Sequence, residues 1–341
     1  MHSTDKNTNI RSETFRSPAL YANELTATED IGKQQNQSFG AARIKSIAMP
    51  RLLWLLHHTP AIIAVAPVHL IVLLLRSLYW LPRNPWRQSC EYICKIARRA
   101  GHSHQPGQVY QQLMTNLLSV AKNFAVLYDK GHEQALEQIH LSIEDEALVK
   151  KLVEEYGGLL LVIPHNFDSV FSMIKLDSRV PLLLVAKNPE TIERTRAAID
   201  FYERMKVKIM LVRGGNPFEL SRSLFSVLKG GYTVTATVDV LDRSKERVEV
   251  DMFGGRVGLD SWAAKIAARR RIPILPAYMK SGNKRTTFTF GEPLVSDDVG
   301  ELMQHYAKFF EQSIIEDPAS WAFLADKNWI KMLRKISADI R

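Results

Sequence analysis

The segment GGLLLVIPHNFDSVF at 157–171 closes a short apolar run with His165 and places Asp168 just beyond it. A histidine at the end of a strand can act as a general base. A carboxylate close by can hold its tautomer and stabilise the imidazolium. The same residues also allow a simpler role, in which Asp168 or Asn166 caps the following helix and His165 satisfies a loop hydrogen bond. A second acid, Asp239, ends the apolar stretch YTVTATVD, which follows Gly230-Gly231. Beyond it, RVEVDMFGGRVGLDSW carries Phe253 and Gly254 in what reads as a loop.

These side chains need a frame. LLLVI at 159–163 is a continuous apolar run, as in a strand covered on both faces. PLLLVA (181–186), KIMLV (208–212), YTVTATV (232–238) and IPILPAYM (272–279) repeat the pattern. Helical periods fall at 110–128, 144–156, 191–205, 219–228 and 261–270. Strands alternating with helices predict an α/β fold with a mainly parallel central sheet flanked by helices. KRTTFTFG at 284–291 alternates and is expected as an antiparallel edge strand. The carboxyl ends of such strands are where ligands bind, and His165 stands at one of them.

The amino-terminal part is different. Residues 1–42 are polar with no apolar period and read as a disordered tail. Residues 43–100 read as a membrane-associated helical segment with a basic flank, and 101–341 as the α/β domain. No Lys, Arg, Asp or Glu interrupts 52–75, which is about the length needed to cross a bilayer. Pro60, Pro67 and three histidines argue against a simple straight span, leaving a kinked crossing or a helix lying in the interface. A buried core helix is the alternative.

A formal charge of +9 predicts an acidic partner: nucleic acid, an anionic membrane face or an acidic carrier protein. The basic residues form no long tract and accompany no zinc-finger, RNP or basic-zipper pattern, so nucleic acid is not expected. Two cysteines, Cys90 and Cys94, build no disulfide framework and read as buried thiols on one helical face. With His102 and His104 nearby a zinc site is conceivable, but the spacing is a weak match and no metal is expected.

The order of these blocks resembles the lysophospholipid acyltransferase superfamily, most closely its lipid A biosynthesis (lauroyl/myristoyl) branch. That resemblance runs over about 110–335. It takes in the Gly-Gly-strand-His block, an Arg before a helix (Arg213), the Gly-Gly-strand-Asp block, the Phe253-Gly254 loop, a small-residue helix with a Pro-bounded strand, and IIEDPASW at 314–321. It implies transfer of a fatty acyl group from an acyl carrier protein or coenzyme A thioester to a hydroxyl or amine of a lipid-like acceptor. His165 would be the base and Asp168 its orienting acid. Arg213 would contact a phosphate, or else pair with Glu219. Asp239, Phe253 and Gly254 would shape the substrate site. No cofactor is implied, because the base and the thioester leaving group supply the chemistry. The implied location is the cytoplasmic face of a bacterial inner membrane. In one respect the sequence departs from the family. The usual motif spaces its acid as H-x4-D/E, and here it is H-x2-D, with Val170 at the ungapped acidic position. A non-catalytic, membrane-bound scaffold or lipid-binding member of the same fold is the alternative reading.

Overall fold

The computed structural model describes residues 51, 58–187, 202, 209–212, 217–282 and 285–339. The polar tail, the predicted helix at 191–205 apart from Tyr202, and Arg213 lie outside the described residues.

Three helices open the described chain: α1 (Ala61–Ser77), α2 (Pro85–Arg99) and α3 (Pro106–Lys130). Asn84 starts α2 by accepting hydrogen bonds from the Trp86 and Arg87 amides, with Pro85 at the first helical position. Strand β1 (Ile139–His140) and α4 (Ile143–Tyr156) follow, the latter capped by the Ser142 hydroxyl on the Asp145 amide. Gly157 ends α4 at φ 71°, a left-handed position that glycine takes without a steric penalty. Gly158 then passes close to the Leu228 carbonyl; a Cβ there would lie 2.9 Å from that oxygen. One glycine of the pair turns the chain and the other lets it approach.

Next come β2 (Leu159–Ile163), α5 (Ser169–Asp177), β3 (Leu182–Lys187), β4 (Ile209–Val212), α6 (Pro217–Lys229) and β5 (Thr233–Thr237). The chain continues through β6 (Val248–Met252), β7 (Gly255–Leu259), α7 (Trp262–Arg270), β8 (Ile274–Ser281), β9 (Thr286–Phe290), α8 (Val299–Glu316) and α9 (Lys327–Ala338). The described strands form one seven-stranded sheet in the order β1-β9-β8-β2-β5-β3-β4, and β6 pairs with β7 separately.

The sheet is mostly parallel, not wholly so. β8 and β9 are antiparallel, while β1 runs parallel to β9. The alternating segment at 284–291 is therefore antiparallel as expected, but two-residue β1 covers it and takes the edge. RVEVDMFGGRVGL forms a hairpin, with Met252 opposite Gly255. Phe253 and Gly254 form its two-residue turn, both at positive φ (60° and 80°), as a primed hairpin turn requires.

All five β2 side chains are buried, and they alternate between two cores. Leu160 and Val162 face the core that holds α2, α7, α8 and α9, while Leu159, Leu161 and Ile163 face the core under α5. Burying each such side chain contributes roughly 1.5–3 kcal/mol, which is what holds β2 in the middle of the sheet. Helix α2 belongs to the same body, because Cys90, Ile93 and Ala97 pack in one core with Trp329 and Leu333.

Candidate active site

β2 and β5 are parallel neighbours, with Leu159 opposite Thr233 and Ile163 opposite Thr237. Carrying that register two residues past each strand end sets His165 against Asp239. The Pro164 carbonyl accepts from the Asn166 amide at 2.9 Å, so His165 is the middle residue of a tight turn. Its Nδ1 lies 2.5 Å from Asp239 Oδ1, and its own backbone N–H donates to Asp239 Oδ2 at 3.0 Å.

The Asp239 carboxylate is fully buried, whereas the His165 side chain is 31% exposed. A third donor, the Trp321 indole N–H, reaches Asp239 Oδ2 at 2.8 Å, and the Trp329 indole N–H reaches the Asp239 carbonyl at 2.8 Å. The acid is thus held at both its side chain and its backbone. With Nδ1 on Asp239, the nitrogen left to face outward is Nε2. One face of the imidazole stacks on Phe323, with ring centroids 3.7 Å apart and planes at 15°.

The turn bearing His165 is clamped from the carboxyl-terminal side. The His165 carbonyl accepts from the Ala322 amide at 2.7 Å, and the Ser320 carbonyl accepts from the Phe167 amide at 3.2 Å. Buried Asn166 donates its amide to the Ser320 carbonyl and accepts from the Met279 amide. Ser320 in turn accepts from the Ser281 amide and donates to Asp317 Oδ2. The stretch D-P-A-S-W therefore ties β8, the histidine turn and the Asp239 carboxylate together.

Asp168 lies elsewhere. Its carboxylate accepts from Thr286 Oγ1 at 2.6 Å, Ser281 Oγ at 3.0 Å and Asn123 Nδ2 at 3.4 Å, and it is 2% exposed. The expected His165–Asp168 pair is not what the structure holds. The physical reason is the turn: only Asn166 and Phe167 separate the two residues, and Asn166 is drawn to β8 while Asp168 is drawn to α3 and the β8–β9 ends. Nor does the Asp168 side chain cap α5. It anchors the start of that helix to the sheet.

Phe253 is buried at 2% exposure, with its ring centroid 6.0 Å from Trp321 and 6.1 Å from Trp329. A non-glycine residue at positive φ is strained, and filling the space beside the two indoles compensates. Phe253 thus supports the tryptophans that hold Asp239 and is core at that turn, while Gly254 supplies the turn's second positive φ. Cys90 and Cys94 are buried, and burial pushes the Cys94 thiol up to about 11 and Cys90 higher still. His104 Nε2 is 2.7 Å from the Ile315 carbonyl.

With this geometry in place, the comparisons identify the family. A family model described as bacterial lipid A biosynthesis acyltransferase matches residues 108–329, well over half of the chain. The chain belongs to that family. No curated protein matches it. The matched span begins inside α3 and ends at Trp329, the residue bonded to the Asp239 carbonyl. It therefore contains every contact to His165 and Asp239 described above. Membership carries acyltransferase activity on lipid-like substrates.

Sequence reasoning missed the pairing of His165 with Asp239. It took in Trp321 only as the end of IIEDPASW, with no role, and it missed Phe323 and Trp329. A signal for the pairing was present. Gly157 and Gly231, both at positive φ, stand eight residues before His165 and Asp239 respectively (165 − 157 and 239 − 231). Two strands that start alike and run side by side must deliver those side chains together.

Proposed function

We propose that the protein transfers a fatty acyl group from an acyl thioester to a hydroxyl or amine of a lipid-like acceptor, with His165 as general base and Asp239 as the acid that orients it. The observation that carries this reading is the 2.5 Å contact between His165 Nδ1 and the buried Asp239 carboxylate, which leaves Nε2 outward. In the reaction, Nε2 takes the acceptor proton as the acceptor oxygen or nitrogen attacks the thioester carbonyl. The resulting tetrahedral adduct collapses, the C–S bond breaks, and the imidazolium returns the proton to the departing thiolate. Asp239 keeps Nδ1 protonated and stabilises the positive ring formed midway.

Acyl carrier protein and coenzyme A both fit as thioester donors, and a net charge of +9 favours an acidic one. The working place is a membrane surface, on the cytoplasmic side of a bacterial inner membrane. Support comes from Ile63–Trp80, which is long and apolar enough to cross a membrane by length and composition and is only 17% buried.

His165→Ala should lower acyl-thioester consumption by purified protein by roughly 10²–10⁴-fold, the usual worth of a general base. Expression and thermal stability should stay close to wild type, because the ring is partly exposed and packs on one side only. Wild-type turnover in this variant sinks the mechanism and leaves the non-catalytic reading.

A further inference from the structure

Helix α1 presents two apolar faces. Ala64, Val65 and Val72 are buried, and Val68 and Leu75 pack beside them against the domain. On the opposite side Ile63, Leu70, Ile71, Leu73 and Leu74 are 54–69% exposed. Trp80 and Leu81 continue that surface at 79% and 52%.

The packed face is fastened along its whole length to α3, which runs antiparallel to it. At one end the Ala61 amide donates to Asp129 Oδ2 at 3.4 Å. At the other end the Arg76 guanidinium donates to Thr115 Oγ1 at 2.9 Å, and the Tyr110 hydroxyl donates to the Leu75 carbonyl at 2.6 Å.

We infer that α1 lies in the plane of an anionic membrane surface, its outer apolar face sunk among the lipids, and does not cross the bilayer. This rests on the membrane-attached reading above and specifies its geometry. Three physical points lead to it. First, α1 has 17 residues, about 26 Å at 1.5 Å per residue, the lower limit for the roughly 30 Å hydrocarbon core, so its length permits a crossing without requiring one.

Second, a crossing α1 would carry α3 through the bilayer beside it. Exposed Lys122, level with the middle of α1, would then stand near mid-depth, and exposed Asp129 would follow it in. An ionised side chain held at the bilayer centre is strongly disfavoured. Lying flat, α1 leaves both in water.

Third, basic residues stand in equal number within about 20 residues of each end of the helix: Arg43, Lys45 and Arg51 before it, Arg83, Arg87 and Lys95 after it. Cytoplasmic flanks carry the excess of Lys and Arg, and here neither flank is the less basic. An in-plane helix keeps both flanks on that side, where exposed Arg51 and Arg83 meet anionic headgroups.

The test uses the full chain with an epitope tag at Met1, expressed in a bacterial host. Membranes are collected by flotation, then intact spheroplasts and inverted inner-membrane vesicles are each treated with protease. The in-plane arrangement predicts a floating protein whose tag survives in spheroplasts and is removed in inverted vesicles. A tag removed from intact spheroplasts means that α1 crosses, which overturns this inference and leaves membrane attachment standing. Protein that does not float overturns both, and acyl transfer is then still open to assay in solution.

Discussion

At the scale of single residues, the two oxygens of the Asp239 carboxylate carry unequal loads. Asp239 Oδ2 receives two N–H groups, from His165 and Trp321, while Oδ1 receives the imidazole. In Asp239→Asn the single remaining oxygen is drawn to the two fixed donors, which turns the NH₂ toward Nδ1. The ring must then carry its proton on Nε2, the wrong tautomer for a base. Turnover should fall by about 10²–10⁴-fold with little change in melting temperature, measured by thioester consumption and a thermal melt on one preparation. Asp168→Ala should do the reverse. It leaves Ser281, Thr286 and Asn123 short of a buried acceptor, and at roughly 1–3 kcal/mol per group the loss should reach about 2–5 kcal/mol in urea unfolding. The sequence points to His165 because its strand is unmistakable. It does not show the partner, because proximity in the chain favours Asp168 while the parallel register delivers Asp239 from 74 residues away.

At the scale of elements, the Gly-Gly blocks and the tryptophan stretch do the positioning. Gly158→Ala puts a methyl group 2.9 Å from the Leu228 backbone oxygen, and backbone cannot swing away. A loss of about 1–3 kcal/mol is expected in urea unfolding, with turnover retained below the transition. The Trp321 N–H is a more selective probe. Trp321→Phe keeps a ring between Phe253 and Trp329 but leaves Asp239 Oδ2 with one donor fewer, so the carboxylate is less firmly fixed against Nδ1. Turnover should fall several-fold further in Trp321→Phe than in Trp329→Phe, whose lost bond is to the Asp239 backbone carbonyl. Equal losses in both would reduce Trp321 to packing. Helix α2 offers a simpler check: with both thiols buried and Cys94 raised to about 11, iodoacetamide at about pH 8 should label neither cysteine before denaturation. The five apolar strands were legible because continuous runs of Leu, Val and Ile have few other uses. The β6–β7 hairpin was not, since Phe253 at a positive-φ turn position contradicts turn propensity and is favoured only by tryptophans some 70 residues away.

At the scale of the whole molecule, the sheet brings His165 and Asp239 together at the carboxyl ends of two central strands, and α1 turns an exposed apolar face outward. The first feature follows from patterning along the chain. The second could be read from the uncharged run at 52–75 only as membrane attachment, crossing or lying in the interface, because which of the two holds depends on the helix's attachment to α3. The account stands or falls on which acid serves His165. The most direct measurement is acyl-thioester turnover by purified wild-type, Asp239→Asn and Asp168→Asn proteins side by side, with folding checked in each. The account predicts a loss of at least about 10²-fold in Asp239→Asn and a loss below about 10-fold in Asp168→Asn. Wild-type turnover in folded Asp239→Asn, with activity lost in folded Asp168→Asn, would contradict it.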